Sequence, residues 1–203
     1  RLIWEFRQRM AEDEAPVYFE SRCAALSQSV PLAPFVAMLR QYFDLSASDD
    51  EGAAHAKVAA RLGEAAALKV DATFPLLCRV LSAPTLPGDL PLEALKQEMF
   101  EAIAKLVHTE ARRAPVVLIL EDLHWSDGLT VKLVEMALHE ACDLPLMVVA
   151  LARPEALEMF PNLWHEHSDV VTLRGIGLKP MERLARKVLG DDASAEVVAR
   201  IVR

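Results

Sequence analysis

VVLILEDLHWSD, residues 116–127, decides how this chain is read. Val116, Val117, Leu118, Ile119 and Leu120 form an aliphatic run with no alternating polar side, which predicts a short strand covered on both faces. A second run, LMVVALA at 146–152, follows Pro145. Each is preceded by a helical pattern. Before the first lies 92–113, with Leu92, Leu95, Met99, Ile103, Leu106 and Val107 on one side, and before the second lies 130–141. Buried strands alternating with helices are the pattern of a parallel sheet sandwiched by helices, so the expected fold class is α/β.

Working outward, VYFES (17–21) after Pro16 reads as another short strand. PLAPFVAMLRQYF (31–43) reads as a helix, its prolines tolerated in the first turn. Residues 49–70 are Ala-rich and charged, as in an exposed helix, and 73–81 gives a further helical turn or two. PTLPGDLP (84–91) is a loop. Downstream, 170–173 is expected as a third strand following these two runs, and 179–189 and 193–202 as helices separated by Gly190, Asp191 and Asp192. At the other end, Leu2, Ile3, Phe6 and Met10 fall at helical spacing. No positively charged, apolar and small-residue succession marks a signal peptide there.

The totals narrow the function classes. In 203 residues, 53% hydrophobic and 26% charged, there is material for one sizeable core and the start of a second small domain. A formal charge of −8 supplies no basic stripe for direct nucleic-acid binding, and no apolar run reaches the roughly 18 residues of a membrane span. Cys23, Cys78 and Cys142 are far apart and lack a CxxC pair, which supports neither a disulfide framework nor a zinc site. They are expected to be small packing residues in a reducing, cytoplasmic compartment. His165, Glu166 and His167 are expected in a solvated loop, and His55, His108 and His139 on helix surfaces.

Ligands of parallel sheets bind beyond the carboxyl ends of the strands, and the 116–120 strand delivers Glu121 and Asp122 to that edge. Two carboxylates there can hold a hydrated Mg²⁺ and orient a water, as nucleotide hydrolysis requires. Equally, every buried strand must end in polar residues.

The block extends past the two acids. LEDLHWSD (120–127) resembles the Walker B segment of the STAND branch of AAA-related signalling ATPases, an apolar strand with two acids and then Leu-His-Trp-Ala-Asp. RLIWEF (1–6) looks like the helix just after that family's Walker A motif, and VYFESRC (17–23) with VPLAPF (30–35) is similar to its second strand and the helix beyond. ARRAPVVLILEDLHWSD (111–127), LPLMVVALARPE (144–155) and ERLARKVLGDD (182–192) follow in the family's order.

The resemblance implies a P-loop NTPase-type parallel sheet lacking its first strand, with residues 1–175 as a partial core and 176–203 as the start of a helical lid. It also implies ATP and Mg²⁺ as cofactors, with the Walker B segment at 117–122. Glu121 falls where the family has its Mg²⁺-coordinating Asp, and Asp122 at the second, water-orienting acid; alternatively Asp122 coordinates. Arg153 matches the sensor arginine that reads a γ-phosphate, or is a surface arginine before a proline loop. Asp127 matches the acid closing the Trp-x-Asp segment, and Ser126 or Asp127 also suits an ordinary helix N-cap. His124 and Trp125 match the family, Trp125 as a packing residue.

No GxxxxGK[ST] occurs among the chain's 7 glycines. The resemblance places that motif immediately before Arg1 and the family's Gly-Asn-Pro segment beyond the last residue. The expectation is therefore a fragment that by itself binds ATP poorly and is inactive. The implied activity is that of an ATP-binding and hydrolysing regulatory module, with an output domain in the same polypeptide (a serine/threonine kinase, a cyclase or a helix-turn-helix activator) and a possible homo-oligomeric state. LKPMERLARKVLG (178–190) is closest to kinase-linked members. The alternatives are a nucleotide-holding scaffold that does not hydrolyse, or an unrelated α/β enzyme in which the acids merely end a strand.

Overall fold

Arginine-rich amphipathic sequence opens the chain as helix α1, Leu2–Met10, and Pro16 then turns it into strand β1, Val17–Arg22. The computed structural model describes residues 2–10, 15–28, 30–62, 75–82, 92–190 and 194–202. Next come α2, Ala33–Tyr42, with Pro34 in its first turn, then α3, Glu51–Leu62, α4, Pro75–Ser82, and α5, Leu92–Ala111. Strand β2, Val116–Glu121, follows α5, and a one-turn 3₁₀ helix, Leu123–Trp125, leads into α6, Gly128–Glu140. Strand β3, Leu146–Ala150, and the short α7, Glu155–Met159, come next. The 84–91 loop, and the last part of the helix expected over 49–70, lie outside the described residues.

The three strands form one parallel sheet in the order β1-β2-β3, with Val17 level with Val116 and Val116 level with Leu146. Strand β2 is central, and its side chains divide between two cores by the strand's two-residue period. Val116, Leu118 and Leu120 join Phe19, Phe35, Met38, Leu39, Met99, Ile103 and Leu106, drawn from β1, α2 and α5. Val117 and Ile119 point the other way, onto Ile3 of α1, with Phe6, Tyr18, Val149 and Leu151 around them. Helices therefore cover both faces, as the continuous apolar run predicts. Each fully buried Leu or Ile side chain here contributes about 1.5–3 kcal/mol.

Three expectations are corrected. β3 is a half-covered strand rather than a fully buried one: Met147 is 47% exposed, and Leu146, Val148 and Val149 are half-buried. It stands at the edge of the described sheet, whereas β2 has a neighbour on each side. Residues 170–173 form no strand; Val170, Val171 and Leu173 are exposed coil, and no described strand pairs with them. Finally, Cys23 and Cys78 are buried as packing residues but Cys142 is exposed, two residues past the end of α6.

Residues Arg1–His167 form one compact unit and Ser168–Arg203 another. Within the second, α8, Leu178–Leu189, and α9, Ala195–Val202, pack through Ala185, Val198 and Val202, with Met181 against them. Gly190 closes α8 at φ 90°, a left-handed conformation that suits glycine at a helix end.

Candidate functional site

The parallel register brings the carboxyl ends of β1 and β2 together, with Arg22 level with Glu121. The pairing continues past the strands. The Cys23 N–H donates to the Glu121 carbonyl at 2.8 Å, the Leu151 N–H to the Leu120 carbonyl at 2.9 Å, and the Leu123 N–H to the Leu151 carbonyl at 2.9 Å. The turn after β2 is thus held from both sides, and Glu121, half-buried, sits on its last ordered strand position.

Asp122 leaves the strand in the left-handed region, φ 55° and ψ 42°. Non-glycine residues seldom adopt it, although Asp does so more readily than most, and such strain concentrates at functional sites. The Arg22 Nε donates to Asp122 Oδ2 at 2.7 Å, an ion pair between neighbouring strand ends. That hydrogen bond holds the Asp122 carboxyl below the usual carboxylate range; partial burial opposes it, and the charges of Arg22 and Arg153 reinforce it. The Arg22 guanidinium is raised in turn, chiefly by the same bond. With side-chain exposures of 74% for Arg22 and 35% for Asp122, solvent screens the pair, so it orients the carboxylate more than it stabilises the fold.

Around the acids, burial pushes the Cys23 thiol up, against a lowering hydrogen bond with Ser126. A thiol kept protonated is a packing group and not a nucleophile. His124 is buried, and Trp125, with its ring centroid 5.0 Å away, is partly exposed. Arg153 lies three residues past the end of β3 with an exposed side chain, and it acts on Asp122 by charge. Asp127 is the N-cap of α6. Its Oδ1 accepts from the Leu129 and Thr130 N–H groups at 3.0 and 3.1 Å, and its Oδ2 from the Thr130 hydroxyl at 2.6 Å. The capping reading of Asp127 therefore holds.

Sequence reasoning picked out Glu121, Asp122 and Arg153, and the structure gathers them at the carboxyl edge of β2 and β3. It missed Arg22, whose only signal was a basic residue ending a strand; its partner emerges only when the register is known. Elsewhere, a cleft of about 700 Å³ is lined by residues that include Glu135, His139, His165 and His167, and neither acid nor Arg153 lines it. His165, Glu166 and His167 are exposed there, and among the described residues no group of three or more His, Cys, Asp and Glu is placed to hold a metal.

Mg²⁺ is commonly held by one or two carboxylates, with waters and substrate phosphates completing its shell. The partly exposed Glu121 and Asp122 fit that donor set. The phosphate side is different, since no GxxxxGK[ST] occurs in these 203 residues.

A family profile described as AAA ATPase domain matches residues 1–149, nearly three-quarters of the chain. The match contains Glu121 and Asp122 and ends before Arg153. No curated protein and no solved structure matches the chain.

Proposed function

The chain belongs to the family of AAA ATPase domains, and on that premise we propose that it is the metal- and water-handling part of an ATP-hydrolysing regulatory module in a multidomain signalling protein of the STAND type. The observation that carries this is the placing of two carboxylates, Glu121 and Asp122, at the carboxyl end of the central parallel strand, with Arg22 and Arg153 beside them. Bound Mg²⁺ would neutralise charge on the transferring phosphoryl group. Glu121 supplies an oxygen ligand. Asp122 accepts a hydrogen bond from the attacking water, its carboxylate kept ionised by Arg22. Arg153 offers a guanidinium to a phosphate oxygen. The 203 residues hold the acid strand without a phosphate-cradling lysine loop, so this reading assigns that loop to a segment outside them.

In the same proposal, residues 1–175 are the nucleotide-handling core and 176–203 the start of a lid. The output domain is a serine/threonine kinase, supported by LKPMERLARKVLG at 178–190, and the compartment is a reducing cytoplasm, supported by three free cysteines. A second reading, a scaffold that binds nucleotide without turnover, is favoured by one observation: Asp122 is already engaged by Arg22 at 2.7 Å. The test is calorimetric. The polypeptide extended upstream to include a GxxxxGK[ST] loop binds Mg-ATP, and residues 1–203 alone do not. Tight binding by the short chain would refute the assignment of the loop elsewhere.

A further inference from the structure

His124 belongs to the turn that carries the acids, yet the chemistry above gives it no task. It is only 6% exposed. Its Nδ1 accepts a long hydrogen bond, 3.5 Å, from the backbone N–H of Arg153, which places the ring proton on Nε2. Nε2 is itself buried and has no partner among the described residues. A buried ring left half unsatisfied is a poor choice for packing alone, where a phenyl group would carry no such penalty. The Nδ1 contact is therefore what an imidazole adds at this position.

That contact also completes a sequence of ties. Leu120 and Ala150 are the last paired residues of β2 and β3. Beyond them, the Leu151 N–H reaches the Leu120 carbonyl, and the Leu123 N–H reaches the Leu151 carbonyl. His124 carries the stitching onward, from the acid turn to Arg153. We propose that His124 is a positioning residue, clamping the Arg153 backbone to the turn that bears Glu121 and Asp122 so that the arginine and the two acids keep one spacing. This rests on the site reading given above.

The test compares three variants. In His124→Asn the carboxamide oxygen can stand near the place of Nδ1 and accept from Arg153. In His124→Gln the polar end falls nearer Nε2, and His124→Phe keeps volume without an acceptor. Backbone amide exchange is followed by NMR on residues 1–203. The Arg153 amide exchanges about tenfold faster in His124→Phe and His124→Gln and stays near wild type in His124→Asn, while the Leu118 and Ile119 amides report that each variant is folded. If His124→Phe does not fold, the contrast between Asn and Gln decides. In the full-length polypeptide, kcat for Mg-ATP falls about tenfold or more in His124→Phe with KM unchanged, and His124→Asn restores it. Unaltered Arg153 exchange in His124→Phe, or equal loss in the Asn and Gln variants, overturns the clamp. Absence of turnover in the wild-type full-length protein overturns the ATPase reading instead, and the exchange rates still decide the clamp.

Discussion

Asp122 combines a left-handed backbone with a 2.7 Å ion pair, and the pair is open to direct test. In Arg22→Ala the Asp122 carboxyl rises toward the ordinary carboxylate range, followed by the carboxyl carbon shift across an acid titration. The sign follows from linkage. A carboxyl lowered in the folded state contributes stability above its unfolded pKa and loses it as pH falls through the folded value, so in the variant, where the two values converge, the acid-side loss of stability due to this group shrinks. Identical titrations would show that Arg22 does not govern this acid. Asp127 gives a contrasting case. Asp127→Ala removes three hydrogen bonds at the start of α6 and costs about 1 kcal/mol in denaturant unfolding, with no loss there contradicting the capping role. Its role was legible in sequence because an N-cap is local, an Asp three positions before the helical run at 130–141. Arg22 was not, because its partner lies 100 residues away and is fixed by strand register.

Elements show the same division between local and distant information. The apolar run of β2 predicted a strand buried on both faces, and both its alternating sets are buried, Val116, Leu118 and Leu120 on one core and Val117 and Ile119 on the other. The run at 146–152 looked alike, but β3 is half-covered, because burial depends on which strands lie on either side of it. Residues 170–173 carried a short aliphatic pattern and no information about a partner, and they remain coil. Replacing side chains separates these environments. Leu118→Ala in β2 opens a cavity and costs about 2–5 kcal/mol in equilibrium unfolding. Met147→Lys in β3, at a position 47% exposed, stays within about 0.5 kcal/mol of wild type. Similar costs at both sites would mean that β3 is as enclosed as β2.

For the molecule as a whole, the family match over residues 1–149 and the parallel sheet agree on a nucleotide-handling domain, and the function proposed above puts its chemistry at the acid pair. The central claim is that Asp122 orients the water in ATP hydrolysis. The most direct measurement is steady-state Mg-ATP turnover by the full-length polypeptide, wild type against Asp122→Asn, with nucleotide affinity measured in parallel. The amide keeps the size of the carboxylate and removes its charge. The expected result is an Asp122→Asn protein that still binds ATP while kcat falls by about 10²-fold or more. Equal turnover in the two proteins, or none in the wild type, would contradict it.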